Sequence, residues 1–269
     1  MHGMALERAL KRVSFKGRFS MVGPGVDLTR DLVPSWYVAA NDPWPDLADP
    51  RRARGSRTCR VLGDLKPDLL LVDLFWAPLY YILPTLGCEA WLLLRWVPKV
   101  WLRGPAGTPF DARQFRRIIG TEPFHTVDLP EYIDPIVVAN PDECHPPEAL
   151  RDLLHVGRNQ HLTLVMQAGL EEEADVMAPD DAKGVVVTLN LHRDAWLFPA
   201  APYLGGADRI ITGAGYNAFW EARWLKYYDR CRCVPFARQI DNQFWRAKEA
   251  ANLPIKHNGA DTLVRMILG

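Results

Sequence analysis

The run from Leu69 to Val97, LLLVDLFWAPLYYILPTLGCEAWLLLRWV, restricts the possible folds of this chain more than any other segment. It is almost apolar enough to span a bilayer. Asp73, Pro78, Pro84, Gly87, Glu89 and Arg95 nevertheless cut it into pieces shorter than the ~20 residues a membrane helix needs. Four consecutive apolar residues, Leu69 to Val72, suit a strand covered on both faces, as in a parallel sheet. A short helix after Pro78 and a second strand in AWLLLRW complete a buried βαβ unit, with the loop Asp73 to Trp76 at the carboxyl end of its first strand. The reading is a water-soluble α/β protein.

Alternating strands and helices extend on both sides. MALERALKRV places Ala5, Leu6, Ala9, Leu10 and Val13 on one helical face. GRFSMVG reads as a strand ending at the turn Gly23-Pro24-Gly25, Asp111 to Arg117 as a polar helix, and Ile136 to Val138 as the last strand of a first domain. The Pro-rich stretch 130–147 is the linker candidate. Beyond it, HLTLVMQ, GVVVTLNL, ADRIITG and CRCVPF read as strands, and AGYNAFWEARWLKYY and NQFWRAKEAAN as helices. At 269 residues the chain has room for two such α/β domains, 1–143 and 144–269, facing a cleft at the carboxyl ends of their sheets, where ligands bind.

Charge and cysteine content remove several classes. Thirty-two basic and thirty-two acidic side chains cancel, which argues against a nucleic-acid partner. Five cysteines, odd in number and irregularly spaced, form no disulfide framework and read as reduced thiols of a cytoplasmic protein. Cys231-Arg-Cys233 offers two thiol ligands without a second pair, so no metal is assigned. The charged start MHGMALERALKR does not read as a signal peptide.

The chemistry concentrates in ITGAGYNAFWEARW, Ile211 to Trp224. A strand that ends in Gly-x-Gly ahead of a helix brings bare backbone N–H groups and the positive end of a helix dipole to one point, which makes an anion site. Gly213 and Gly215 present no Cβ to an approaching ligand, and Asn217 in the first turn can cap the helix or reach a ligand oxygen. Glu221 lies one turn further on the same face, where a carboxylate can accept two hydrogen bonds from a vicinal diol such as a ribose. The residues also fit a tight turn followed by a solvated helix.

The longer run from Phe198 to Ala250 resembles the donor-binding half of GT-B glycosyltransferases, a group that includes plant-type nucleotide-sugar transferases and the N-acetylglucosaminyltransferases of peptidoglycan synthesis. The matching parts are ADRIITGAGYN, the glutamate four residues after the asparagine, VPF, and DNQFWRA. The resemblance implies two Rossmann-like domains facing a cleft, the first of them reduced. It assigns Phe198 and the turn Gly213, Ala214, Gly215, Tyr216, Asn217 and Ala218 to a nucleotide-diphosphate sugar, most simply of the UDP type. Glu221 would bind the ribose, and Asp241, Asn242 and Gln243 the sugar hydroxyls. KPDLLLVD and RIIGTEPF…IDPIVV look like the acceptor half, with the acceptor unidentified and peripheral contact with a membrane left open.

The chain departs from that pattern in several places. Many relatives carry histidine in place of Gly213 and serine or threonine in place of Ala218, so only backbone groups remain here for phosphate. Ala168-Gly169 stands where a glycine-rich turn is usual, and Glu171, Glu172 and Glu173 behind it would repel phosphate if they faced it. The family's opening strand and Gly-x-Gly-His loop are reduced to His2-Gly3. Sugar transfer needs a base for the acceptor hydroxyl and charge stabilisation for the leaving diphosphate. His2 stands at the family's position for the base, Asp73 is the second candidate, and His125 and His192 are further polar loop residues; no cofactor is called for. The alternative is a non-catalytic GT-B relative that binds nucleotide sugars or serves assembly. A nucleotide-sugar epimerase of the same architecture lacks its acidic pattern here.

Overall fold

The computed structural model describes residues 1–24, 35–105, 108–123, 128–167, 169–180, 184–190 and 197–269. It is mixed α/β with parallel sheets. The chain forms two compact units, one continuous over Lys16–Asp134 and one discontinuous, joining Met1–Phe15 to Pro135–Gly269. The first helix, α1 (His2–Arg12), therefore belongs with the C-terminal half of the chain, and the compact units part at 134–135 rather than at residue 143.

In the continuous unit, β1 (Met21–Gly23) pairs in parallel with β2 (Tyr37–Ala39). Three short helices follow, α2 (Trp44–Leu47), α3 (Pro50–Gly55) and α4 (Arg57–Leu65). The caps are local: Asp49 accepts the N–H groups of Arg51 and Arg52, and Ser56 accepts that of Cys59. Then come β3 (Leu69–Asp73), α5 (Leu83–Leu86), β4 (Glu89–Leu94), β5 (Arg117–Gly120) and β6 (Glu131–Tyr132). The sheet order is β3-β4-β5-β6, every pair parallel, so the strand–helix–strand reading of Leu69 to Val97 is what folds. Leu92, Leu93, Leu94 and Ile119 are its buried centre. The polar helix expected over Asp111 to Arg117 is only a 3-10 turn, Ala112–Gln114, capped by Asp111. The segment has no apolar stripe to bury, and short helices are marginal without one.

The discontinuous unit continues with α6 (Pro147–Leu153), β7 (Leu162–Gln167), β8 (Val185–Asn190), β9 (Arg209–Gly213), α7 (Tyr216–Trp224) and β10 (Cys231–Val234). A small hairpin, β11 (Ala237–Arg238) with β12 (Asp241–Asn242), leads to α8 (Gln243–Lys248), and α9 (Gly259–Leu268) ends the chain. The sheet order is β10-β9-β7-β8, all parallel. The chain leaves β7 toward β8 on one side and resumes with β9 and β10 on the other. Neighbouring strands whose connections depart in opposite directions open a crevice at their carboxyl ends, so β7 and β9 form a topological switch point. Every residue of β7 is buried, the polar Thr163 and Gln167 included, as befits a central parallel strand covered on both faces. At the amino ends, the Asp208 carboxylate accepts the Leu162 N–H at 2.7 Å and Arg151 Nη2 at 2.6 Å, pinning β9 to β7.

Ile136 to Val138 do not form the last strand of the first domain. They lie in the discontinuous unit and pair with no strand among the described residues, yet Ile136, Val137, Val138 and Ala139 are each 1% exposed. β-Branched composition here reports burial, which was equated with sheet pairing. Buried backbone N–H groups must still find acceptors, and side chains provide them. Ile136 N–H donates to the Tyr216 hydroxyl at 2.9 Å, Val137 N–H to Asn258 Oδ1 at 3.4 Å, and Val138 N–H to the Glu221 carboxyl group. Asn258 Nδ2 returns a bond to the Val137 carbonyl at 3.1 Å, while Asn258 Oδ1 also caps α9 through Ala260 N–H at 2.9 Å. Arg12 joins α1 to the same region, its guanidinium reaching Glu143 Oε2 at 2.8 Å and Asp261 Oδ1 at 2.6 Å. No helix among the described residues is long and apolar enough to cross a membrane.

Asn258→Ala removes a helix cap and strands both polar groups of Val137, and is expected to lower stability by about 2–4 kcal/mol in urea unfolding. Asn258→Asp keeps the acceptor and loses the donor, so a smaller loss is expected. Wild-type stability in the alanine variant would show that the buried segment does not depend on Asn258.

Candidate functional site

The strand β9 delivers its last residue, Gly213, to the switch point. The backbone then turns through Ala214, whose N–H donates to the Val234 carbonyl at 2.8 Å, and Gly215 takes the N-cap position of α7. Neither glycine is demanded by backbone strain: Gly215 has φ −62°, and a Cβ on it would meet only Gln243 Nε2, at 3.9 Å. A Cβ on Gly213 would lie 3.8 Å from the Phe236 ring. The glycines therefore leave backbone bare rather than permit a special turn. No side chain caps α7, so the first-turn amides, including those of Asn217 and Ala218, have no partner within the helix. Asn217 is the second helical residue, past the position from which its side chain could cap.

Arg246 holds this turn from below. Its side chain is completely buried, with Nη1 donating to the Ala214 carbonyl at 3.2 Å, Nη2 paired with Asp241 Oδ1, and the guanidinium carbon 5.7 Å from the Tyr216 ring centroid. Asp241 also accepts Asn242 N–H at 3.1 Å, and Asn242 Oδ1 caps α8 through Trp245 N–H at 3.1 Å. Gln243 is buried, and its Oε1 accepts Phe236 N–H at 3.0 Å. That bond leaves the amide nitrogen beside Gly215. The three residues assigned to sugar hydroxyls are thus tied into the protein, and only Gln243 turns a donor toward the turn.

On α8, Phe244 is 57% exposed, while Gln243 and Arg246, and Ala250 just past the helix, are buried. Their spacing of 3 and then 4 residues is helical, and the inner face offers Arg246 an aspartate and a carbonyl. Sequence reasoning passed over Arg246 although DNQFWRA contains it; an arginine one turn past an Asp-Asn cap was the available signal.

At the neighbouring end of β7, Glu173 is buried and pairs with Arg238 at 2.5 Å, and Arg238 lies over the Phe236 ring at 5.5 Å. One of the three glutamates expected to repel phosphate is thereby neutralised. Arg238, Phe236 and Glu173 were not singled out from the sequence, since their meeting depends on the β11–β12 hairpin.

Glu221 sits elsewhere. It is 7% exposed and lies inside the protein, where burial raises its pKa to about 8, against the opposing pull of the amino terminus, the Val138 N–H and Arg8. In this position it serves the buried segment 136–139, and its carboxyl group is not presented to the crevice. His2 lies on α1 with its ring 5.0 Å from that of Tyr216, edge to face, which brings it to the helix that begins at the glycine turn. Asp73 ends β3 in the other unit and is exposed, and Phe198 lies half-buried ahead of β9, outside this set of contacts. His125 and His192 lie outside the described residues. The Cys231 and Cys233 sulfurs are 3.6 Å apart, and their contact together with burial pushes the Cys231 thiol pKa up, which keeps it protonated. Among the described residues no three His, Cys, Asp or Glu side chains cluster as metal ligands.

The chain matches no model of a known protein family, and no curated protein sequence matches it.

Glu221 makes stability depend on pH with a definite sign. Unfolded, it titrates near 4.5; folded, near 8. Between these values the folded chain retains a proton that the unfolded chain releases, so the contribution of this group is fully present below pH 4.5 and is lost as pH rises through 8. At about 1.4 kcal/mol per pKa unit, the loss attributable to this group is on the order of 3–5 kcal/mol. Glu221→Gln is expected to flatten that decline in urea midpoints measured from pH 5 to 9. Parallel pH profiles for the two proteins would show that the buried carboxyl is not the titrating group.

Proposed function

We propose that the chain is a glycosyltransferase of the GT-B type that takes a sugar from a nucleotide-diphosphate donor, most simply a UDP-sugar. The observation that carries this reading is the uncapped amino end of α7 at the switch point of the β10-β9-β7-β8 sheet, with the buried Gln243 amide beside it. The diphosphate would lie on the amides of Gly213 to Ala218, and Gln243 would donate to a phosphate or sugar oxygen. Developing negative charge on the leaving diphosphate is then met by backbone N–H groups and the helix dipole. Transfer proceeds as a base removes the acceptor hydroxyl proton, the oxygen bonds to the anomeric carbon, and the bond to the diphosphate breaks. His2 is the candidate base, supported by its contact with Tyr216, and Asp73 is the second. Glu221 is left out of the ligand set because its carboxyl group is buried against Val138.

A specific observation also favours the alternative. Glu221 and Asp241, the two carboxylates that the family resemblance assigns to ligand, are both engaged within the protein. A non-catalytic relative that binds nucleotide sugars would keep the turn and dispense with these contacts.

Gln243→Glu tests the ligand contact at this turn. The carboxylate can still accept the Phe236 N–H, but it replaces the free amide donor with negative charge beside Gly215. UDP affinity of the folded variant, measured by calorimetry, is expected to fall at least ~10-fold, since a hydrogen bond to a charged group is worth about 1.5–3 kcal/mol; the urea midpoint falls as well, because the new carboxylate is buried. Undiminished UDP binding would remove the phosphate site from this turn. If the chain turns over, His2→Ala is expected to slow sugar transfer by about 10²–10⁴-fold with donor affinity retained. Nucleotide binding without measurable transfer by the wild-type protein would favour the non-catalytic reading.

A further inference from the structure

The loops that follow β3 and β4 hold an unusual share of the chain's stranded hydrogen-bond donors. Among the described residues, seven buried side-chain nitrogens have no partner. Four of the seven, Trp76 Nε1, Arg95 Nε, Trp96 Nε1 and Trp101 Nε1, fall in these two loops. β3 and β4 are parallel neighbours, so both loops leave the same edge of one sheet. A buried donor without an acceptor carries its full desolvation penalty, and folded proteins retain few of them. Such a concentration points to acceptors that the chain itself does not supply.

The same edge exposes aromatic surface. Phe75 is 51% exposed and meets the Trp101 ring edge to face, with centroids 5.7 Å apart. Asp73, two residues earlier at the end of β3, adds an exposed carboxylate. Stranded N–H groups require acceptor oxygens, bare rings require a flat apolar face, and the carboxylate accepts hydroxyl protons. A saccharide offers all three: a face of C–H groups, ring and hydroxyl oxygens, and hydroxyl donors. A lipid chain would leave the nitrogens stranded, and a small anion would leave the rings bare and oppose Asp73.

We propose that the carboxyl edge of β3 and β4 is a saccharide-binding platform built on Phe75 and Trp101, with the 3-10 turn Lys99–Arg103 shifting on binding so that its indole N–H meets a sugar oxygen. The proposal deepens the transferase reading by naming the chemical class of the acceptor. It uses only the continuous unit, and its test contains no nucleotide, so either can fail without the other.

The protein is titrated with N-acetylglucosamine, its β-linked disaccharide, maltose and mannobiose, following the indole N–H resonances by two-dimensional NMR. Resonances are assigned by single Trp→Phe replacements. At least one sugar is expected to move the Trp101 resonance, and Phe75→Ala, which removes an exposed side chain, is expected to weaken that sugar's affinity at least 10-fold with an unchanged urea midpoint. Trp101→Phe, which keeps an aromatic face but no N–H donor, is expected to retain part of the affinity. The proposal is overturned if no sugar perturbs these resonances, or if binding is unchanged in Phe75→Ala. It is equally overturned if phosphatidylcholine–phosphatidylglycerol vesicles move them and sugars do not.

Discussion

The discontinuous unit is organised around an extended segment, Ile136 to Ala139, that is buried without a neighbouring strand among the described residues. Three successive backbone N–H groups need acceptors, and three side chains from distant parts of the sequence supply them: Tyr216, Asn258 and Glu221. Each also belongs to, or caps, a helix, so meeting the demand of one segment fixes α7 and α9 relative to it. Tyr216 matters twice, since it is the first residue of the helix whose amino end forms the candidate phosphate site. The position of that helix end is thereby set from the core outward.

A buried charge performs the equivalent task at the turn. The Arg246 guanidinium links the Ala214 carbonyl, Asp241 and the Tyr216 ring. Desolvating an ion pair consumes most of its attraction, so the pair contributes little net stability while either partner alone would be strongly unfavourable. Its effect is geometric. It fixes α8, and through Gln243 a side-chain amide beside Gly215, against the end of β9. Around it, Glu173 with Arg238 balances the acidic charge at the end of β7, so the crevice edge is not left with an unpaired carboxylate from that residue.

Legibility from sequence followed the strength of local signals. Leu69 to Val72 was readable as a parallel strand because a continuous apolar run beside a breaker leaves few alternatives. Leu162 to Gln167 and Arg209 to Gly213 carry polar residues but keep apolar, β-branched centres, and the glycine turn ahead of α7 was equally plain. Ile136 to Val138 misled because apolar β-branched residues signal burial in a sheet and burial beneath side-chain acceptors alike. Arg246 was passed over because its two partners, Asp241 and Ala214, become visible only when the hairpin closes. Glu221 shows the limit most clearly. Helical spacing placed it one turn past Asn217, but no periodicity could reveal that the backbone of Val138 would lie against it.

The division of the chain has a consequence for how it comes to be folded. Residues 16–134 form a unit of their own, while α1 must wait for α9, and Arg12 meets Asp261 across 249 positions of sequence. Closing a loop of that length in a disordered chain costs roughly 5 kcal/mol in the simple logarithmic estimate. If the inserted unit has already become compact, the effective loop is roughly halved, which lowers that cost by about 0.6 kcal/mol. Synthesis favours that order, because the insert emerges whole before the second half of its host exists. The host unit is then completed last, when α9 arrives; until that moment α1 meets Val138, Leu225 and Tyr216 through Met4 and His2 but lacks the helix that covers its remaining face.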